Sequence, residues 1–500
     1  MVDPMAWISN ISPNCWMVPS FRVPSLLAAA PEAESGPLVL AAVLLSLVVI
    51  YFAAKLGGEI CARINLPSVL GELIGGVIVG VSALHLIVFP EGSGTPDSAI
   101  LSFLQMTTGL EPESAFGVFQ AESEVISVLA ELGVIILLFE IGLESDLKEL
   151  IRVGPQAAVV AVVGVAVPFA AGTAGLIALF GVPTIPAVFA GAALTATSIG
   201  ITAKVLAELQ RLSSREGQII IGAAVLDDVL GIIVLAVVAS LAKTGEIEIS
   251  QVVYLIVGAA VFLIGSIFLG RFLSPYFVAL VNRMNTRGQL LLSSLIFTFV
   301  LAYIGAAIQL EAILGAFAAG LVLAETEKRH ELEEQVIPVA DILVPIFFVT
   351  VGARTDVSVL NPLDPANREG LIIATFLIVV AIIGKVVTGL AVFGQPGINR
   401  LAIGVGMIPR GEVGLVFVGV GSATGVLSQS LEAAIIVMVI LTTFLAPALL
   451  RVVFQAAPTE GSVTDPAIAV LDGSDNPPLV TSSPQTSASE VESIQESQSG

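Results

Sequence analysis

Histidine and cysteine are nearly missing from this chain of 500 residues, with two of each. Cys15 and Cys61 stand too far apart in sequence to form a CxxC pair, and two cysteines provide no disulfide framework. His85 and His330 share no local spacing with carboxylates, so a His-built catalytic metal site is not expected. Charge is scarce too: 12% of residues are charged against 56% apolar, and the mean hydropathy is +0.99. A soluble core cannot use that much apolar surface without leaving large exposed patches, whereas lipid can cover it. Positive charge is the scarcer sign, and the net charge of −21 excludes a nucleic-acid partner. The apolar runs hold no nucleophile–base or metal set, so no enzymatic activity is expected, and no Gly-rich nucleotide fingerprint or other cofactor motif is visible.

What the sequence has in abundance is long apolar runs. A helix needs about 20 such residues to cross roughly 30 Å of hydrocarbon. Runs of this kind occur at about 38–55, 66–83, 123–142, 153–181, 184–208, 216–241, 250–270, 286–308, 310–325, 337–353, 367–393, 398–422 and 429–455. The expected fold is an all-α polytopic membrane protein of about 13 transmembrane helices. Thirteen crossings put the chain ends on opposite sides. With the N-terminus outside, the outer segments hold Arg22, Lys243, Arg354 and Arg368, while 14 of the 20 cations fall in cytoplasmic loops, flanking helix ends and the tail. That asymmetry is the one the positive-inside rule requires.

Residues 1–37 read as an extracytoplasmic extension with Trp7, Trp16 and a short apolar patch at 24–30; a targeting segment, an interfacial anchor and an ordered cap are the alternatives, although a clear charged n-region and a long apolar h-region are lacking. The stretch 84–122 is a long outer loop without Lys or Arg, either a cation-concentrating vestibule or an ordinary solvated loop. Residues 456–500 are rich in Ser, Glu, Gln and Pro and read as a disordered acidic cytoplasmic tail.

Ionisable groups at the centre of a membrane helix cost roughly 2.5–3.5 kcal/mol even on lenient scales, so each one needs a reason. Asp227 and Asp228 sit halfway along the run 216–241. Neighbours on a helix point about 100° apart, so one carboxylate can bind a cation while the other faces a fixed positive group. Lys385, deep in the run 367–393, is the natural counter-charge. Two further segments read as broken helices. In the first, Thr195, Thr197 and Ser198 with Gly200 interrupt an apolar run; in the second, Pro409, Arg410, Gly411 and Glu412 do. Broken backbone at membrane depth is tolerated where it lines a cavity, and its freed carbonyls can coordinate ions. The breaks occupy matching places, since Ile199-Gly200-Ile201 aligns with Val413-Gly414-Leu415. Each lies in the middle helix of a three-helix unit, 153–241 and 367–455, and an odd helix offset inverts the second unit. That is the pattern of an inverted-repeat transporter with a midplane site. Glu72 is embedded near the start of its helix and is a further candidate, whereas Glu140 and Asp341 read as interfacial.

These residues resemble the monovalent cation:proton antiporters of the second cation:proton antiporter family, near its NapA-like sodium/proton exchangers. The likeness runs from about 38 to 455 and is carried by Leu66-Pro-Ser-Val-Leu-Gly-Glu-Leu, Thr195-Ala-Thr-Ser-Ile-Gly, Leu226-Asp-Asp-Val-Leu-Gly, Gly315-Ala-Phe-Ala-Ala-Gly-Leu and Met407-Ile-Pro-Arg-Gly-Glu-Val-Gly-Leu. The resemblance implies a core transport bundle of 153–241 and 367–455 with two crossing broken helices. It also implies a dimerisation bundle of 38–142 and 286–353, a linker helix at 250–270, and a homodimer working by elevator-like alternating access. It implies that Asp228 carries Na⁺ or H⁺ in competition and that Asp227 pairs with Lys385. Thr197, with Ser198 beside it, would help hold the ion, and Arg410, Glu412 and Thr195 would support the crossing. Relatives with Asn-Asp look electroneutral, and potassium-efflux relatives carry Gln-Asp with a nucleotide-binding domain. The Asp-Asp pair with a Lys therefore points to electrogenic exchange.

The transported partners are then monovalent cations and protons, with Na⁺, Li⁺ and K⁺ not distinguished by ligand type. A K⁺/H⁺ antiporter of the same fold is the alternative, and a cation channel or Na⁺-coupled symporter fits less well, because channels ring an axis with their ligands. The default location is a bacterial plasma membrane, with an internal energy-coupling, thylakoid-like membrane as the alternative.

Overall fold

The computed structural model describes residues 36–90, 98–108, 112–244, 248–363, 365–392 and 397–456. The N-terminal extension through residue 35, the tail from residue 457 and the side chain of Glu412 lie outside the described residues. Among the described residues there are sixteen α-helices and two short 3-10 segments, and no strand.

In chain order the helices are α1 (Gly36–Arg63), α2 (Ser68–Val79), α3 (Ala99–Thr108), α4 (Pro112–Glu144), α5 (Leu147–Phe180), α6 (Thr184–Ala193), α7 (Ile199–Glu208) and α8 (Arg215–Thr244). The second half contains α9 (Ile249–Arg283), α10 (Gln289–Ala307), α11 (Ala312–Ala324), α12 (Arg329–Ala353), α13 (Pro365–Thr388), α14 (Arg400–Gly406), α15 (Glu412–Ala423) and α16 (Gln429–Ala456). Nine of the expected runs become helices long and apolar enough to cross a membrane among the described residues. The other four are helical but short or interrupted: α2, α11, and the broken pairs α6–α7 and α14–α15.

Local signals set these boundaries. Asp146 caps α5 by accepting from the backbone N–H of Lys148 and Glu149, at 2.8 and 3.2 Å. The same helix ends at Gly181, whose φ of 65° is the left-handed conformation that glycine adopts without strain. Two boundaries differ from the sequence expectation. α4 starts at Pro112, and α3 precedes it, so much of the stretch read as a loop is helical; Phe119, Ala115 and Leu101 cluster there away from solvent. α9 continues past Arg271 to Arg283 through the largely apolar stretch 272–281, and Arg271 reaches sideways to Glu325 at 3.0 Å.

Helix contacts sort into two groups. α4 packs on α1, α11 and α12, α2 packs on α1 and α12, and α10 packs on α11. Separately, α5 packs on α6, α8 and α13, while α16 packs on α13, α14 and α15. Within the first group, small residues bring backbones together, as lipid-embedded helices require in the absence of a hydrophobic drive between them. A Cβ on Gly142 would lie 2.5 Å from the Phe317 carbonyl, and one on Gly320 would lie 2.3 Å from that of Phe139. The outer faces are apolar instead of polar. α1 exposes Leu40, Leu44, Val48, Phe52, Leu56 and Ile60 as one stripe of i, i+4 spacing, the surface expected of a helix solvated by lipid.

Candidate functional site

The two interrupted elements meet at their breaks. α6 stops at Ala193 and α7 resumes at Ile199; α14 stops at Gly406 and α15 resumes at Glu412. In the second break Pro409 has no N–H to continue a helical ladder. The freed backbone groups bond across the crossing. The Ser198 N–H donates to the Pro409 carbonyl at 2.8 Å, Thr197 Oγ1 donates to Met407 O at 3.2 Å, and Thr202 Oγ1 donates to Gly406 O at 2.9 Å. A Cβ on Gly411 would lie 2.9 Å from Ser198 Cβ, so only glycine lets the two breaks approach this closely.

Both helix ends that point their carbonyls into the crossing are held by one side chain. Arg410 is fully buried. Its Nη2 donates to Leu194 O at 2.6 Å and its Nη1 to Met407 O at 3.4 Å. Leu194 is the C-cap of α6 and Met407 the C-cap of α14, so the planar fork neutralises two negative helix ends at once. Thr443 Oγ1 donates to the Arg410 carbonyl from α16. Replacing Arg410 by Gln removes two charge-assisted hydrogen bonds, each worth about 1.5–3 kcal/mol. The expected result is a loss of about 3 kcal/mol in stability, with Arg410→Lys losing less because it keeps the charge but not the fork. Thermal unfolding of the purified protein in detergent checks this; equal melting temperatures for wild type and Arg410→Gln would remove the capping role.

Asp227 and Asp228 project from the middle of α8 and are 0% and 2% exposed. Lys385, from α13, is fully buried and donates to Asp227 Oδ2 at 3.1 Å. The Arg410 charge acts on Asp227 as well, while Oδ1 of Asp227 has no hydrogen-bond partner among the described residues. Gly164 of α5 makes the room, since a Cβ there would lie 3.2 Å from Lys385 Nζ. Asp228 faces elsewhere. It lines a cavity of about 10 Å³ with Ala196, Thr197, Ser198 and Ile199 of the first break, Gly411 and Val413 of the second, and Glu311 and Ile313 of α11 and its cap. That volume seats about one water-sized particle. The 100° between adjacent helix positions thus sends the two carboxylates to different surroundings, one to an ammonium and one to a cavity walled partly by hydroxyls.

Comparison with known proteins agrees with this geometry. Residues 41–456 match the family described as sodium/hydrogen exchanger, transmembrane. The chain belongs to that family.

This exchanger is a multi-pass membrane protein and a monovalent cation:proton antiporter. It is 70% identical over 440 residues to the high-affinity Na⁺/H⁺ antiporter NhaS3 of Synechocystis sp., covering 88% of this chain and 95% of that protein. It is 32% identical over 412 residues to the Na⁺/H⁺-K⁺ antiporter GerN of Bacillus cereus, covering 81% of this chain and 95% of the relative. The solved sodium proton antiporter MjNhaP1 of Methanocaldococcus jannaschii has the same fold, with a TM-score of 0.54, 16% identity, and coverage of 83% of this chain and 96% of that one.

The antiporter's other candidate residues occupy different places. Thr195 is fully buried but bonds its own preceding turn, donating to Ala192 O at 2.7 Å. Glu72 is half-buried on α2, outside the cavity beside Asp228. Glu412 begins α15. Three contributors carry no sequence signal of their own: Gly164 is one small residue among many, Thr443 is an ordinary helical threonine, and Glu311 is a single charge at the start of the run 310–325.

Proposed function

We propose that this antiporter exchanges Na⁺ for H⁺, with Asp228 as the shared carrier and Asp227–Lys385 as the fixed pair beside it. The observation that carries this reading is the division of the two carboxylates, Asp227 engaged by Lys385 at 3.1 Å and Asp228 facing the cavity at the crossing. Asp228 supplies the charge. Thr197 supplies a neutral oxygen, whose proton is directed to Met407 O so that lone pairs are left over for an ion. Broken backbone adds carbonyl oxygen at the same depth, the donor type that suits Na⁺ in such folds. A proton and a cation need the same carboxylate oxygens, so they bind one at a time, and that exclusion is what couples the two fluxes.

The names of the relatives support Na⁺, and that of the Bacillus cereus protein supports K⁺ as a competing ion. The helix group α5–α8 with α13–α16 would be the moving core, and α1, α2, α4 and α10–α12 the dimerisation bundle. α9 would be the linker and the whole an inverted repeat working as a homodimer. Among the contacts that span the two groups is one where α7 meets α2: Glu208 accepts from the Ser68 N–H at 2.9 Å, and it must open if the core slides. The N-terminus would lie outside and the tail in the cytoplasm. Two protons per Na⁺ would move one charge per cycle, so the membrane potential would contribute about 2.3 kcal/mol per 100 mV.

The test is proton movement in proteoliposomes held at a fixed pH gradient, with Na⁺, Li⁺ or K⁺ added in turn. Na⁺ is expected to dissipate the gradient at lower concentration than K⁺. A K⁺ response equal to or stronger than that of Na⁺ would transfer the assignment to K⁺/H⁺ exchange, and cation current without proton movement would make the protein a channel.

A further inference from the structure

Ser68 and Glu72 lie one turn apart on α2, and Lys204 and Glu208 lie one turn apart on α7. Residues at i and i+4 share one face of a helix. The two faces are turned toward each other. α7 packs on α2, and the two carboxylate oxygens of Glu208 accept from the N–H and the Oγ of Ser68. One turn further along, the Lys204 charge acts on the Glu72 carboxylate. The register is antiparallel, the first turn of α2 meeting the last residue of α7.

Each side of this contact explains an oddity of the other. Pro67, the N-cap of α2, makes no side-chain hydrogen bond to that helix, so Glu208 brings from outside an acceptor for the free N–H groups. An acidic residue at the end of α7 opposes that helix's own dipole, so its place is accounted for by α2. Lys204 is half-buried, and its charge reaches Glu140 and Glu144 of α4 as well as Glu72. Lys55 of α1, Asp341 of α12 and Glu208 act on Glu72 too. Glu72 Oε2 is buried without a hydrogen bond among the described residues, so Lys204 acts on it through space. Neither Lys204 nor Glu208 lines the cavity beside Asp228.

The contact fits one register only. A slide of α7 along α2 by one turn, about 5.4 Å, breaks both rungs. In one direction Glu208 comes level with Glu72, like charge against like. In the other Lys204 comes level with Ser68, a cation against the positive end of α2. We propose that Ser68–Glu208 and Glu72–Lys204 form a two-rung polar zipper that holds the core at this register, with Lys204 the positioning residue that makes the register preferred. The inference rests on the reading above that the core slides against the dimerisation bundle.

The experiment places Ser68→Cys and Glu208→Cys in the full chain, with Cys15 and Cys61 replaced by serine, and joins them in vesicles with a short, reducible bifunctional methanethiosulfonate. Rates are normalised to labelling by the monofunctional reagent, which removes the effect of a nearby charge on thiol reactivity. Lys204→Gln is expected to slow cross-linking at least about threefold, the scale of one interfacial charge interaction, and Lys204→Arg to stay within about twofold of the parent. Glu72→Gln is expected to slow it as well but to add little to Lys204→Gln, because the rung is already lost. A rate indifferent to Lys204→Gln overturns the proposal, as do fully additive effects. The cross-link itself is expected to stop Na⁺-driven proton movement, and reduction to restore it. Undiminished exchange by the cross-linked protein, with a rate of cross-linking that still depends on Lys204, would overturn the sliding reading and leave the zipper standing. Blocked exchange with a charge-independent rate would do the reverse. In the otherwise native protein, Lys204→Gln is expected to keep the apparent KM for Na⁺ within about twofold while changing the maximal rate at least about threefold. A raised KM with an unchanged maximal rate would put Lys204 in the ion site and overturn the proposal, whether or not the cysteine variants fold.

Discussion

Asp228→Asn is expected to reduce Na⁺-driven proton movement to background, a fall of at least about 100-fold, because a neutral amide can neither release a proton nor offer a charged ligand. The substitution keeps size and shape in a side chain that is 2% exposed. The protein should therefore remain folded, with a melting temperature near that of wild type, and the loss can be assigned to chemistry. Na⁺-dependent stabilisation should disappear in the same variant, since the carboxylate that binds the ion is gone. Asp228→Glu is a sharper probe. It keeps the charge but adds a methylene to a cavity of about 10 Å³, so it should retain proton release while losing cation affinity, shifting KM more than the maximal rate. Substantial Na⁺/H⁺ exchange by Asp228→Asn would place the carrier elsewhere.

The intramembrane charges were legible in the sequence for a thermodynamic reason: an ionisable residue inside an apolar run is costly enough to stand out without any structure. Asp227, Asp228, Lys385 and Arg410 all announce themselves in this way. The two breaks were legible as well, because Pro409 with Gly411, and a cluster of Thr and Ser, are poor material for a buried helix. Contacts across the chain were not legible. Nothing local says that Arg410 will fork onto Leu194, 216 residues away in sequence, or that Gly164 will stand against Lys385. Glu311 escaped notice because it lies at the end of an apolar run, where a charge is cheap and ordinary. Only the fold reveals that this residue lines the cavity beside Asp228. α9 outruns the apolar run at 250–270 because a helix can carry Arg271 on an exposed face, where it reaches Glu325, and continue to Arg283.

Removing either member of the buried pair should cost more than removing both. Lys385 and Asp227 are each 0% exposed and 3.1 Å apart. Lys385→Met leaves Asp227 as a buried anion without its ammonium partner, and Asp227→Asn leaves the buried ammonium without its counter-charge. Each single variant is expected to lose about 3–5 kcal/mol, the usual cost of an orphaned buried charge. The double variant Asp227→Asn with Lys385→Met has no orphan, because desolvation of both ions is no longer required, and it should recover most of that loss. The coupling energy between the two sites is then at least about 2 kcal/mol, and thermal unfolding of the four proteins measures it. Additive losses would mean that the two groups are stabilised by other partners. The same cycle separates stability from charge movement. If Lys385 changes its charge during transport, the double variant should still exchange Na⁺ for H⁺ through Asp228 but give no net current on a sensor membrane. If the current persists, the extra proton travels by another group, and the pair serves only to hold α8 against α13.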